Sequence, residues 1–222
     1  MTSNERAADG ATPWHQQQHA SQTLVSNLRP LLERNRAFAA TGAHTWLEIP
    51  PRQQVLLVTC LDPRVDPAGF LGVEPGDAPV IRNAGGRVTE AVINDIAFIG
   101  CLAKAMIPDG PLLEVAVVHH TGCGTGFPAY EAFQSAFAGR TGMDEAVLAA
   151  EEVVDPAVTV RADVRRLASA FKALPRISFS GHVYDLETGL VTTIVGPSQP
   201  CRAYSLSVVG GDAGAARSRE GT

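Results

Sequence analysis

Five residues that could do metal chemistry stand in two short clusters of the sequence. Cys60, Asp62 and Arg64 form the first cluster, and His120 and Cys123 form the second. Two thiols and an imidazole are a ligand set of catalytic zinc sites, which leave a fourth position for water. These donors suit zinc better than magnesium or calcium, although the set alone also fits cobalt or iron. We therefore interpret Cys60, His120 and Cys123 as candidate zinc ligands.

The acid and the arginine of the first cluster suggest how such a metal would be used. Two thiolates cancel the charge of zinc, so the ion pulls less on a bound water and another group must favour hydroxide. Asp62 is placed either to accept a hydrogen bond from a zinc-bound hydroxide or to take the fourth coordination position itself. Arg64 is placed to keep Asp62 ionised, because an adjacent guanidinium lowers a carboxyl pKa by roughly one to three units. The pattern predicts a metal that generates a hydroxide nucleophile.

Each cluster directly follows a short apolar run rich in β-branched residues, at 55–59 and 113–118. Runs of this kind indicate buried strands of a parallel sheet. The carboxyl ends of parallel strands share one edge of an open sheet, and ligands bind at that edge. We therefore expect the two clusters to meet there.

The remaining pattern predicts an α/β fold with a central, mostly parallel sheet flanked by helices. A brief strand is expected at 80–82, and helices at 89–106, opened by Thr89, and at 127–137 and 160–174. Residues 177–184 alternate as a half-exposed strand, and a short connection leads from them to a strand at 190–195. The sheet is therefore expected to end in an antiparallel edge pair.

Size and composition favour one domain with tails. The chain has 222 residues, of which 45% are apolar, enough for one substantial core. We predict a single domain over 21–205, a disordered N-terminal tail over 1–20 and a flexible C-terminal tail over 206–222.

Charge and hydropathy exclude several partners. The net charge is −5 and the 18 Lys and Arg are scattered, which argues against a nucleic-acid-binding protein. The sequence has no run of 18 apolar residues, so no membrane span is predicted. It also has no basic segment followed by an apolar one at its start, so we expect a cytoplasmic protein.

Plainer interpretations exist for the same residues. Cys60 taken alone would be a packed core thiol, and Asp62 with Arg64 could be an ordinary structural ion pair. The other two cysteines, Cys101 and Cys201, are interpreted as non-ligands. His119 precedes a candidate ligand, but alternation along a strand should turn it to the other face, which predicts a supporting or packing role.

Three motifs in order resemble the β-class carbonic anhydrases, and in particular a bacterial subgroup of short enzymes. The likeness extends from about residue 28 to residue 195 and rests on all three motifs in register. The motifs are Cys60-x-Asp62-x-Arg64, Arg82-Asn83-Ala84-Gly85 and His120-x-x-Cys123-Gly124.

The resemblance implies reversible hydration of carbon dioxide to bicarbonate and a proton, with Zn²⁺ held by Cys60, His120 and Cys123. It implies that Asp62 either pairs with Arg64, leaving water on the zinc, or binds the zinc and closes the site. It also implies a homodimer or higher homo-oligomer whose N-terminal helices embrace the partner subunit, and a loop at 82–85 that lines the pocket and braces the ligands.

The sequence departs from the family pattern at three positions near the motifs. Pro63 stands where the family usually has Ser or Ala, and it stiffens the turn between Cys60 and Arg64. Gly122 replaces a more usual polar residue, and Thr125 stands where the subgroup often has Met. These departures affect the shape of the pocket and the freedom of Asp62 to move.

Two alternative functions remain open from the sequence. The first is hydrolysis of carbonyl sulfide or carbon disulfide on the same scaffold, because both molecules are linear like carbon dioxide. The second is a zinc-stabilised, bicarbonate-responsive protein without turnover. The intact Asp62 and Arg64 pair argues against the second alternative, because a purely structural zinc site would not need it.

Overall fold

The computed structural model describes residues 26–107, 113–172 and 177–198. Within these residues, five strands form one sheet in the order β2-β1-β3-β4-β5. Adjacent strands run parallel, except for the antiparallel pair of β4 and β5. This confirms the predicted fold class. The strands are β1 (Val55–Cys60), β2 (Val80–Asn83), β3 (Leu113–His120), β4 (Ile177–Tyr184) and β5 (Val191–Ser198).

Helices connect and flank the strands. Thr89 caps α3 by accepting a hydrogen bond from the Val92 amide, as the sequence predicts for the start of this helix. Asp155 caps α6 in the same way, with Pro156 in its first turn. The helices are α1 (Arg29–Thr41), α2 (Pro67–Phe70), α3 (Glu90–Met106), α4 (Glu131–Thr141), α5 (Glu145–Ala150) and α6 (Pro156–Ala170), with 3-10 turns at Ala84–Gly86 and Gly124–Ala129.

The chain divides into a unit that ends at Thr45 and contains α1, and a unit that begins at Trp46 and contains the sheet. The predicted tails at 1–20 and 206–222, and Cys201, lie outside the described residues. The extent of the predicted domain, 21–205, stays a prediction. Within the described ranges, no helix is long and apolar enough to cross a membrane.

The core lies where α3 and α6 pack on one face of the sheet. Alternate residues of the three central strands contribute to it, as the period of two along a strand requires. Burial of such side chains stabilises a fold by about 1.5–3 kcal/mol each. The core residues are Leu56, Val58, Val88, Val92, Ile96, Val115, Val117, Val160, Val164, Leu167, Phe171, Ile177 and Phe179.

Three details of the predicted elements are wrong. The helix predicted over 160–174 is α6, which begins four residues earlier at Pro156, after its Asp155 cap, and ends at Ala170. The first five residues of β4 are all buried, so the strand is not half-exposed; Ser180 is buried because its hydroxyl donates to Glu114 and receives a hydrogen bond from His182. The single helix predicted over 127–137 is split into a 3-10 turn and α4, with Tyr130 extended between them. The Tyr130 amide donates to the carbonyl oxygen of Phe127, a bond between residues three apart that closes the 3-10 turn before α4 begins.

Candidate metal centre

The ends of β1 and β3 bring the three candidate ligands together. Cys60 is the last residue of β1, His120 is the last residue of β3, and Cys123 follows in the next turn. Their ligand atoms all lie within 4.8 Å of one another, and the two sulfur atoms are 3.8 Å apart. Two sulfurs bound at about 2.3 Å to a tetrahedral zinc ion would themselves lie about 3.8 Å apart. The cluster therefore has the spacing that a metal ion requires.

The imidazole of His120 has the tautomer and the orientation that a metal ligand needs. Its Nδ1–H donates to the backbone carbonyl of Thr121 at 2.9 Å, which leaves the lone pair on Nε2 free. His120 is buried, and its Nε2 has no hydrogen-bond partner among the described residues. A buried acceptor without a partner costs free energy unless something binds it. A metal ion between Nε2 and the two sulfurs would remove this cost.

A hydrogen bond joins the sulfur atoms of Cys60 and Cys123. Their mutual hydrogen bond lowers the pKa of Cys123 to about 6 and raises the pKa of Cys60 to about 12. Burial adds to the rise at Cys60 and opposes the fall at Cys123. A divalent cation would displace the proton of this hydrogen bond and stabilise both thiolates, because metal binding to cysteine releases protons.

Asp62 and Arg64 form the predicted ion pair beside the cluster. The guanidinium donates through Nε to Oδ1 at 3.0 Å and through Nη2 to Oδ2 at 2.6 Å. These hydrogen bonds hold the pKa of Asp62 well below its usual range. Arg64 Nη2 also donates to the carbonyl oxygen of Gly122 at 3.0 Å. One arginine therefore connects the first cluster to the loop that carries Cys123.

Pro63 lies within a tight turn that fixes the carboxyl group of Asp62. The carbonyl oxygen of Asp62 accepts from the Val65 amide at 3.0 Å, which places Pro63 at the second position of a β-turn, where its fixed φ is favourable. Within the same turn Asp62 Oδ1 accepts from the Arg64 amide at 2.9 Å. The carboxylate is thus held by three hydrogen bonds from one residue.

Arg82 secures the backbone of the first cluster from the neighbouring strand. Its Nε donates to the carbonyl of Cys60 at 3.0 Å, and its Nη2 donates to the carbonyl of Asp62 at 2.9 Å. A third hydrogen bond reaches the Asp66 carboxylate at 3.0 Å. Asn83 adds its carbonyl oxygen, which accepts from the Leu61 amide. The turn that carries Cys60 and Asp62 is therefore fixed from β2, by the side chain of Arg82 and the backbone of Asn83.

A buried ionic network lies behind the cluster, and sequence reasoning did not identify two of its members. Asp163 accepts from Arg87 Nε at 2.8 Å, from Arg87 Nη2 at 3.2 Å and from the Val88 amide at 3.1 Å. His119 Nε2 lies 3.3 Å from the same carboxylate, and its Nδ1 lies 2.8 Å from Thr159 Oγ1. His119 thus contacts α6 and supports the end of β3, as the predicted role of this residue requires.

The sequence does carry a signal for Asp163. The apolar residues of α6 recur at Val160, Val164 and Leu167, the spacing of one buried helix face. Asp163 lies on the same face and is 2% exposed. A charged residue within a buried stripe requires an ionic partner, although the pattern does not indicate which residue supplies it.

The glycine-rich turn after β2 lies against the end of β1. Gly86 has a φ of +67°, and a methyl group at this position would lie 2.8 Å from the carbonyl carbon of Thr59. Only glycine accepts both the conformation and the close approach without strain. The loop can therefore pack directly under the residue that precedes Cys60.

Comparison with known proteins agrees with these observations. The family model described as carbonic anhydrase matches residues 55–163. A protein named β-carbonic anhydrase 1 from Mycobacterium tuberculosis is 31% identical over 160 residues, which cover 72% of this chain and 93% of that protein. A carbon disulfide hydrolase from an Acidianus strain is 36% identical over 76 residues, 34% of each chain.

Among solved structures, the carbonic anhydrase of Streptococcus mutans superposes with a TM-score of 0.63 and 29% identity, covering 77% of this chain and 99% of that one. The motifs, the cluster geometry and the extent of these matches agree with one another. The chain belongs to the β-carbonic anhydrase family.

Proposed function

We propose that this protein catalyses the zinc-dependent, reversible hydration of carbon dioxide to bicarbonate and a proton. Cys60, His120 and Cys123 would hold the zinc. The observation that carries this proposal is the free Nε2 of His120 facing two sulfurs 3.8 Å apart, beside a carboxylate paired with arginine. When bound, zinc supplies the positive charge that activates water at neutral pH.

Asp62 would orient the attacking water. Its carboxylate is ionised because Arg64 donates to both of its oxygens, so it is available as an acceptor for a water proton. Arg64 would not contact the substrate; its hydrogen bonds fix the orientation of the Asp62 carboxylate. For Asp62 to become a fourth metal ligand, it would have to give up these charge-assisted bonds. We propose that this exchange opens and closes the site.

A second candidate is hydrolysis of carbon disulfide or carbonyl sulfide by the same centre. The match to a carbon disulfide hydrolase supports it, although that match covers only 34% of this chain. Both substrates are linear and present an electrophilic carbon, as carbon dioxide does. The β-carbonic anhydrase relative covers 72% of the chain, which favours carbon dioxide.

Stopped-flow measurement of carbon dioxide hydration, with zinc content determined on the same preparation, tests the proposal. We expect one zinc per chain and a turnover that disappears when the zinc is removed and returns when it is restored. Carbonyl sulfide and carbon disulfide turnover on the same preparation provide the comparison. Rapid release of sulfide without carbon dioxide hydration would replace the first candidate with the second.

We also propose that the protein works as a homodimer or higher homo-oligomer. In the part of α1 that the structure describes, no residue is buried, and Leu28, Leu31 and Leu32 are each about half exposed. On α3, Phe98 is exposed as well. Single exposed apolar side chains are ordinary, but a group of them, such as the three leucines on one short segment, is typical of a surface that a partner covers. Light scattering coupled to size exclusion should give at least twice the chain mass of 23.4 kDa, and a monomer would contradict the proposal.

A further inference from the structure

Cys123 has a hydrogen-bond partner that is not required to assemble the ligand cluster. The hydroxyl Oγ1 of Thr125 lies 2.9 Å from Cys123 Sγ. The other sulfur is contacted differently, because Cys60 Sγ receives the backbone amide of Asp62 at 3.4 Å. A thiolate can only accept a hydrogen bond, so the Thr125 hydroxyl donates once Cys123 binds a metal.

The position of Thr125 is fixed by its surroundings. Its backbone carbonyl accepts from the Val153 amide at 3.1 Å. A methyl group on Gly85 would approach Thr125 Oγ1 to 2.9 Å, so the hydroxyl lies directly against the loop after β2. Thr125 is partly buried in the 3-10 turn Gly124–Ala129. The hydroxyl is therefore held toward the sulfur by the packing around it.

A donor to a ligand sulfur changes the metal centre. Two thiolates neutralise a divalent ion and reduce its ability to activate water. A hydrogen bond draws electron density from the sulfur, so the sulfur donates less to the metal, and the metal keeps more positive charge. Such a bond would restore part of the ability to activate water that the metal loses by binding two thiolates.

We propose that Thr125 is a positioning residue that tunes the metal centre through its hydrogen bond to Cys123. It raises the electrophilicity of the metal and fixes the direction of the Cys123 side chain. This inference rests on the proposed metal site, and it assigns a function to a residue that departs from the family pattern. Valine at this position has nearly the same shape and lacks the donor, whereas serine retains it.

Cobalt-substituted full-length protein provides the test, because the sulfur-to-cobalt charge-transfer band reports the electron density on the sulfur directly. We expect T125V and T125A to bind one cobalt per chain and to shift this band to lower energy, while T125S keeps the wild-type position. On the zinc proteins, kcat/KM for carbon dioxide should fall roughly tenfold in T125V and stay near wild type in T125S. The alanine variant provides the same readout if the valine side chain disturbs folding.

T141V is the matched control, because Thr141 Oγ1 donates to the carbonyl oxygen of Phe137 at 2.9 Å at the end of α4 and touches no ligand, so its loss should leave the band in place. A T125V or T125A band at the wild-type energy, or an equal shift in T125S or T141V, would overturn the inference. If the wild-type protein bound no cobalt, the metal centre and this inference would both be wrong. Cobalt binding with the expected shift but no carbon dioxide turnover would support the inference and contradict the proposed activity.

Discussion

Asp62→Asn should lower kcat/KM for carbon dioxide hydration by about 10- to 100-fold while the protein keeps one zinc per chain. Asparagine preserves the size of the side chain but removes the charge that two Arg64 donors now hold in place. An amide nitrogen would face one of those donors, so the acceptor for the water proton would be lost or turned away. The ligand atoms of the cluster are unchanged, so metal content should not fall.

Two further variants separate catalysis from metal binding. Cys123→Ser should lose zinc and activity together, because a hydroxyl is a poor zinc ligand. Asp77→Asn changes an acid in the same way but on a carboxylate paired with Arg52 outside the cluster, and it should change neither zinc content nor turnover. Stopped-flow hydration and metal analysis on all three proteins decide the matter. Asp62→Asn activity equal to wild type across pH 7 to 9 would contradict the mechanism.

The sequence predicted the position of the candidate site because the relevant signals are local. Cys60 and His120 each end an apolar run, and the rule that parallel strands share their carboxyl edge brings the two together without further information. The strand predicted at 55–59 is β1, Val55–Cys60, and the strand predicted at 177–184 has the same bounds as β4. The pairing of Asp62 with Arg64 is equally local, because a single turn separates them.

Contacts between distant segments could not be predicted in the same way. Asp163 lies 76 positions from Arg87 along the chain, and no spacing rule connects a residue of α6 with a loop after β2. The exact partners of Arg82 depend on the path of the turn after β1, which forms only when β1 and β2 pair. Burial of Ser180 likewise depends on Glu114 of the adjacent strand. Sequence patterns indicate which side chains are placed at strand ends, and tertiary packing determines what holds them.

Three arginines support the site, and their side chains are progressively more buried from Arg64 through Arg82 to Arg87. Each has a different role. Arg64 lies at the surface beside the cluster and orients Asp62, whereas Arg82 fixes the backbone that carries Cys60. Arg87 is 8% exposed and binds Asp163 and the carbonyls of Ala150 and Glu152. The planar guanidinium suits all three tasks, because its donors reach several acceptors at fixed angles. Of the three, Arg87 should matter most for stability, because its charge is the one removed from water.

Removing the carboxylate that pairs with Arg87 should destabilise the protein strongly. Asp163→Asn keeps the shape of the side chain but leaves the buried guanidinium without a counter-charge, and breaking such a pair costs about 3–5 kcal/mol. Urea unfolding at pH 7 should show this loss in the free energy of unfolding. Asp66→Asn is the control, because the pair of Asp66 with Arg82 is solvent-exposed and asparagine caps α2 equally well. Asp66→Asn should lower the free energy of unfolding by less than about 1 kcal/mol.

The difference in the free energy of unfolding between wild type and Asp163→Asn should depend on pH, because it follows from the pKa of Asp163. Burial acts to raise that pKa, but the hydrogen bonds from His119 and Arg87 outweigh burial and lower it. A carboxyl whose pKa is lower in the folded state stabilises the protein above its unfolded pKa, near 3.8, and loses that contribution as the pH falls through the folded value. The gap between wild type and Asp163→Asn should therefore be full at pH 7 and shrink in acid below about pH 4. A gap under about 1 kcal/mol at pH 7, or one that stays constant into acid, would show that the Asp163 charge does not stabilise the fold.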